Sequence, residues 1–314
     1  VFIHESYLIL NGMNVRWNFF LSCLLALCVS HYFYSQNFYP EIENYAIDTY
    51  KADNQNWDID TDNNGVVYVA NNKGLLRFTG QRWQLLELSN QTIVRSVLCH
   101  NNKIYTGAFE EFGYWEKDQK GDYHYTSLNH LFSENHQFNN EEFWQIIPFE
   151  DFLILKTFTN GVFLYDGSTI KHISNSQNIY DITSFQKNIF ASNSEQGLLK
   201  LTANDSLNFQ ETDLKPISKS LVKIASYKKQ LFYYSHKEGG VIYNLSSSIK
   251  LPKEANNLLK KSVLNKVLFL NNNTLVFGTI KNGIYIYNIE KQSIKNINKN
   301  SGLCNNTVLG MNYS

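Results

Sequence analysis

The stretch Thr274–Tyr287 reads TLVFGTIKNGIYIY: an apolar strand, a short polar turn closed by Gly283, then a second apolar strand. The same pattern stands at Val66–Phe78 (VVYVANNKGLLRF), Lys103–Trp115 (KIYTGAFEEFGYW) and Phe152–Tyr165 (FLILKTFTNGVFLY). It returns at Asn188–Leu201 (NIFASNSEQGLLKL) and Gln230–Tyr243 (QLFYYSHKEGGVIY). Aligning Gly74, Gly113, Gly161, Gly197, Gly240 and Gly283 as turn glycines gives spacings of 39, 48, 36, 43 and 43 residues. A period near forty, with strands on both sides of a turn, is the signature of four-stranded propeller blades. The expected fold is therefore all-β: a β-propeller with six recognisable blades and the start of a seventh.

Working outward from each glycine completes the blade. The innermost strands are expected at Trp57–Asp60, Val94–His100, Phe143–Pro148, Tyr180–Phe185, Leu221–Tyr227 and Val263–Leu270. Asn- and Gly-rich turns such as Asp62–Gly65 and Asn271–Asn273 follow them, and those residues tolerate the left-handed backbone angles of tight hairpins. More polar outer strands are expected at Trp83–Leu88, Ile170–Ile173 and Ser206–Gln210. Each aligned glycine is expected to need a positive φ or a close backbone approach. After the sixth motif, Ser301–Ser314 (SGLCNNTVLGMNYS) looks like a lead-in turn and an inner strand with no hairpin behind it. Tyr39–Tyr50 is a candidate outer strand for closing the ring. The simplest expectation from this unfinished repeat is that the chain is the front part of a longer protein.

The N-terminus divides from the rest by composition. Arg16 followed by the apolar run Phe19–Val29 (FFLSCLLALCV) reads as a signal peptide over residues 13–36, with cleavage near Ser35 or Gln36. The run is too short to span a bilayer comfortably. Residues 1–12 precede a plausible start at Met13 and are set aside as upstream sequence, leaving residues 37–314 as the propeller. Exported, the propeller is expected in the periplasm. Of 4 cysteines, only Cys99 and Cys304 fall in the propeller, in different blades, so buried free thiols are expected rather than a disulfide framework.

The 28 basic and 28 acidic residues cancel, which argues against a nucleic-acid surface. No phosphate loop, nucleophile elbow or Cys/His nucleophile arrangement is visible, so neither a cofactor nor a catalytic residue is assigned. His124, His130 and His136 recur every six residues, but zinc prefers tighter spacing, and a polar insertion is the better reading. The loops leading into the inner strands and those joining second to third strands should emerge on one face. Their amides, charges and rings suit a small polar molecule or a glycan: ring faces stack on sugar CH groups while hydroxyls need donors and acceptors. The candidate ligand-binding residues are Gln55, Trp57, Arg95, Glu110, Glu111, Tyr114, Glu141 and Trp144. The Glu110-Glu111 and Glu141-Glu142 doublets leave open a glycosidase or polysaccharide lyase, although adjacent strand residues point to opposite faces. A structural protein-interaction propeller is the third reading.

Several motifs narrow the choice. Asn54–Ile59 (NQNWDI), Gly74–Gly80 (GLLRFTG), Val94-Arg95-Ser96 and Tyr105–Trp115 (YTGAFEEFGYW) resemble the sensor propellers of Bacteroidetes membrane-bound transcriptional regulators. These carry two-component-regulator propeller repeats followed by a triple-tyrosine domain. GLCNNTVLGM, starting at Gly302, resembles the beginning of one more repeat. One departure is Thr79-Gly80 where such repeats usually have Asp-Gly, which Asp166-Gly167 keeps. The resemblance implies a non-catalytic periplasmic sensor whose β-sandwich, membrane helix, coiled coil and cytoplasmic helix-turn-helix or kinase lie outside this chain. It also implies that homodimer formation and the membrane link, beyond the signal segment, belong to the full-length protein.

Overall fold

The structure, a computed structural model, describes residues 42–132, 140–203, 207–212, 214, 221–245 and 247–313. The proposed signal segment, the residues before it, and His136 of the histidine series lie outside that set. One compact unit, Asn44–Ser314, holds all the blades.

Each blade is a four-stranded antiparallel meander, and there are six of them. Blade 1 runs through Asn56–Thr61, Val67–Asn71, Gly74–Phe78 and Trp83–Leu86. The innermost strands of the other five are Val94–His100, Phe143–Phe149, Ile179–Phe185, Leu221–Tyr227 and Leu264–Asn271, within a residue or two of expectation. Second strands alternate little in burial because both faces are covered by neighbouring blades; Val67–Asn71 and Phe152–Thr157 are buried nearly throughout. The core accordingly lies between blades. Tyr68, Leu75, Val97 and Trp115 join blades 1 and 2, while Tyr105, Phe112, Phe143 and Phe163 join blades 2 and 3. A fully buried side chain of this size contributes about 1.5–3 kcal/mol.

The glycines divide into two kinds. Gly74, Gly161, Gly197 and Gly283 sit at hairpins with positive φ. At Gly283, φ is 71° and an added Cβ would also press on the Ile297 carbonyl and stand 3.0 Å from Asn298 Cα. Gly113 and Gly240 are not turn residues: they lie inside strands Glu111–Lys117 and Gly239–Asn244. Their turns have the positive φ three residues before Gly113, at Glu110 (57°), and one residue before Gly240, at Gly239 (83°). Both are there for close approach instead. A Cβ on Gly240 would come within 2.6 Å of Leu251 Cδ1, and one on Gly113 would strike the Thr126 carbonyl. In blade 2 it is Glu111, two residues before Gly113, that pairs with the last residue of the second strand, and strand alternation over two residues hides the shift.

Three further differences have local causes. Ile47–Tyr50 forms one helical turn rather than an outer strand; with Tyr45 it covers the face of blade 1 turned away from blade 2, where Tyr45 and Tyr50 pack on Trp83. Lys253–Ser262 is a helix between blades 5 and 6. It starts after Pro252, carries Glu254 in its first turn and Lys260 and Lys261 in its last, and buries Ala255 and Leu259. Its Asn256 accepts from Gly240 N (2.9 Å) and donates to Leu251 O (2.9 Å), tying it over blade 5. Finally, Cys304 is exposed rather than buried, and Cys99 is half-buried; both thiols are free.

Residues 302–313 make no strand but fill the seam between blades 6 and 1. Val308 N donates to Thr279 O (2.8 Å) and Asn265 Nδ2 to Val308 O (2.9 Å) on the blade 6 side. On the blade 1 side, Gly310 lies against the Asp58 backbone and Asn312 Nδ2 donates to Asp60 Oδ1 (3.1 Å).

Candidate functional site

The last residue of each second strand sets the loop face. Asn71, Thr157, Asn193, Ser235 and Thr279 occupy this position, and all are buried polar side chains. Asn71 is the fullest example: it donates to Asp53 O (2.7 Å) and Gln55 O (3.1 Å), and accepts from Asp53 N and Lys73 N. Thr157 and Thr279 donate to Gly161 O (3.0 Å) and Gly283 O (2.8 Å), closing their own hairpins. Blade 2 alone has an apolar residue here, Ala108. The two sets of loops therefore do share one face, stitched together by polar side chains.

Inside the ring the inner strands repeat a second device. In all six blades the pairing register slips across the second residue of the inner strand. A bulge re-aims the side chain at that position. The residues are Trp57, Arg95, Trp144, Tyr180, Val222 and Asn265, and all but Val222 line one open cavity of about 820 Å³ at the centre of the ring.

Three of the eight candidate residues meet in that wall. The Arg95 guanidinium lies 4.1 Å from the Trp57 ring centroid and 5.0 Å from that of Trp144. The two indoles meet edge-on at 5.6 Å. Arg95 donates from Nε (2.9 Å) and Nη2 (2.6 Å) to a single oxygen of Glu142, which fixes the stack. Its Nη1 and the Trp144 indole N–H are buried with no acceptor among the described residues. Trp57 Nε1 is satisfied by Asn72 Oδ1 at 2.7 Å.

The other five lie elsewhere. Gln55 accepts from Asn72 on the exposed loop (3.2 Å). Glu110 Oε1 accepts from Asn140 N (2.6 Å). Glu111 accepts from Tyr125 Oη, Ser127 Oγ and Asn129 Nδ2 on the outer part of blade 2. Tyr114 packs on Tyr105 with the Lys103 ammonium 3.7 Å from its ring centroid. Glu141 is fully buried and cradles the Phe158–Asn160 loop, accepting from Phe158 N (2.8 Å), Thr159 N (3.0 Å), Thr159 Oγ1 (2.6 Å) and Asn160 N (2.7 Å). Burial pushes its carboxyl up, but the Thr159 hydroxyl and the surrounding backbone N–H groups outweigh that and hold it below the ordinary value. The doublets thus supply structural acceptors and one Arg95 partner, with no facing carboxylate pair in the cavity wall.

What the sequence reading missed is a cationic patch deeper in the same cavity. Lys156, Lys223 and Lys266 all line it, from blades 3, 5 and 6. Lys156 is only 7% exposed, and its one hydrogen bond is a long 3.4 Å contact to Thr157 O. Burial lowers its ammonium to about 8; Asp181 and Glu141 oppose that shift, whereas Lys223 and Lys266 add to it. Burial likewise lowers Lys223, with Asp181 opposing and Lys266 reinforcing. Lys266 stands 3.6 Å from Asp58. The signal that could have found the patch is positional: Lys223 and Lys266 stand in the third place of their inner strands, where blades 1 to 4 have Asp58, Ser96, Gln145 and Asp181.

Among the described residues no helix is long and apolar enough to cross a membrane, and no group of side chains is set to hold a metal ion. No protein-family model matches the chain, and no curated protein matches it. Among solved structures it is similar to the extracellular domain of BT3049 from B. thetaiotaomicron, described as a hybrid two component system. The identity is 16% and the TM-score 0.63, over 85% of this chain and 38% of that one. It is similar also to the extracellular domain of BT4673 from B. thetaiotaomicron, at 16% identity and TM-score 0.61, covering 81% of this chain and 35% of that one. The WD40 propeller domain of Doa1 is 11% identical with TM-score 0.57, covering 82% and 86% of the two chains. This chain thus spans well under half the length of the two Bacteroides domains. At such identities the likeness is one of fold, and it agrees with the ring itself: the chain is a six-bladed β-propeller.

Proposed function

We propose that this propeller is the ligand-sensing part of an exported, membrane-tethered signalling receptor, and that it works by binding rather than turnover. The observation that carries the reading is the Trp57–Arg95–Trp144 stack in the cavity wall. Flat apolar rings beside a rigidly held guanidinium are what a saccharide or similar polar molecule needs: surface to stack on and donors for its oxygens. The carboxylates that would serve a glycosidase are committed to backbone and side-chain donors, which supports binding over catalysis. The descriptions of the two Bacteroides neighbours as extracellular domains of a hybrid two component and a one component system add the signalling context. In this reading residues 13–36 direct export to the periplasm, and segments beyond this chain carry the dimer contacts, the membrane span and the transcriptional or kinase output.

The test is calorimetry of the full chain against a panel of soluble oligosaccharides, with chromatography of the ligand afterwards. Binding with the ligand recovered intact, and lost in Trp144→Ala, is the expected result. Recovery of shortened or unsaturated products would overturn it in favour of an enzyme.

A further inference from the structure

Among the described residues, the buried side-chain atoms left without a partner in the cavity wall are donors. Blades 1 to 4 spend their polar side chains on the ring: Asp58 Oδ2 accepts from Val97 N (3.2 Å), Ser96 Oγ donates to Phe143 O (2.7 Å), Gln145 bonds both N and O of Ile182, and Asp181 Oδ2 accepts from Ile224 N (3.3 Å). Lys223 and Lys266 occupy the same place in blades 5 and 6 and make no such bond to a neighbouring strand. Among the described residues, Lys156 and Lys223 have no ion pair. Asp181 is the carboxylate near both, and its oxygens already accept from Ile182 N and Ile224 N. Arg95 Nη1 and Trp144 Nε1 add two more donors without an acceptor.

Holding like charges together in a partly desolvated channel is unfavourable unless something negative joins them. We infer that the channel is an anion site: Lys223 and Lys156, with Lys266 beside them, take a carboxylate, sulfate or phosphate group of a small ligand. Charge-assisted bonds from ammonium groups are strong and point-like, so one such group fits between two lysines without a bidentate fork. With the indoles of Trp57 and Trp144 in the same wall, the molecule that satisfies both features is an acidic saccharide. This last step rests on the sensor reading above, whereas the anion site does not. Asp181 and Glu141 favour the charged form of Lys156 and the Lys223 and Lys266 ammonium groups oppose it, so binding should strengthen as pH falls through about 8, the midpoint of Lys156 protonation.

The experiment compares glucuronate with glucose, which differ by a carboxylate against a hydroxymethyl group, and adds inorganic sulfate and phosphate as bare anions. Binding to the full chain is followed by calorimetry and by the shift of the thermal melt. Glucuronate should bind about tenfold more tightly than glucose, and Lys223→Gln should remove that advantage. Lys266→Gln serves as a second variant should Lys223→Gln melt abnormally. Equal binding of glucose and glucuronate, insensitive to both variants, overturns the anion site and leaves the saccharide sensor standing. Sulfate or phosphate binding that needs Lys223, with no saccharide bound, keeps the anion site and sinks the saccharide reading. No binding of any anion at about pH 6.5, below the value of about 8 to which burial lowers Lys156, overturns the inference outright.

Discussion

The third residue of the inner strand does different work in two halves of the ring. In blades 1 to 4 it is Asp58, Ser96, Gln145 or Asp181, and each reaches across to the backbone of the next inner strand. In blades 5 and 6 it is Lys223 or Lys266, facing the cavity. Blade 3 repeats the contrast within itself. Glu141 is buried and satisfied by a ring of donors, while Lys156, two residues before Phe158, is buried with one long hydrogen bond. A buried charge that is fully bonded holds structure together. One left short of partners costs stability, and a site for an opposite charge is a reason for its presence.

Breaking the satisfied side should cost most. Glu141→Ala strips the acceptor from the 158–160 loop, and urea unfolding should show a loss of about 3–5 kcal/mol. Because the folded carboxyl is held below its ordinary value of 4.5, its stabilisation is complete above that pH and is lost as pH falls through the lower folded value. Glu141→Gln should therefore flatten the acid limb of the stability profile. Asp181→Ala comes next, at about 2–3 kcal/mol, since it frees the edge N–H of Ile224 and removes the carboxylate closest to two lysines.

The unsatisfied side should respond in the opposite direction. Lys156→Met should stabilise the unliganded protein by about 2 kcal/mol at pH 7, because desolvation of the ammonium is relieved. The folded ammonium titrates near 8 against an ordinary 10.5, so the unfolded chain binds the extra proton between those values. Native stability should thus rise with pH across that window, and Lys156→Met should reduce the slope in denaturation series from pH 7 to 11, leaving the part that the lowered Lys223 supplies. The smallest effect is expected at Ser96→Ala, about 1 kcal/mol, from one buried hydrogen bond to Phe143 O. A Lys156→Met variant as destabilised as Glu141→Ala would erase the distinction between the two kinds of buried charge.

The blades were legible because local periodicity records them. Alternating apolar strands, Asn- and Gly-rich turns and a recurring glycine place every inner strand to within two residues. The misreadings came where local pattern and tertiary role diverge. Gly113 looks like the turn glycine of its neighbours, yet close packing of the Thr126 carbonyl, not a turn, demands it. The helix Lys253–Ser262 carries cap and charge signals but sits inside a repeat spacer, where a strand count passes over it. Glu141 reads as a candidate ligand because Glu141-Glu142 is a polar doublet at a loop; which carboxylate turns inward depends on the loop 17 to 19 residues further on. Of the eight candidates, the three at bulged inner-strand positions share the cavity wall.

The sequence by itself determined the architecture, because strand, turn and repeat length are properties of neighbouring residues and are written in order along the chain. Only the tertiary structure decided that Lys156, Lys223 and Lys266, separated by 67 and 43 residues in the sequence, share one wall. Charge proximity is a property of the closed ring: Lys156 and Lys223 are ordinary solvated cations in the linear chain and become costly ones when the blades bring them, with Lys266, around a common cavity.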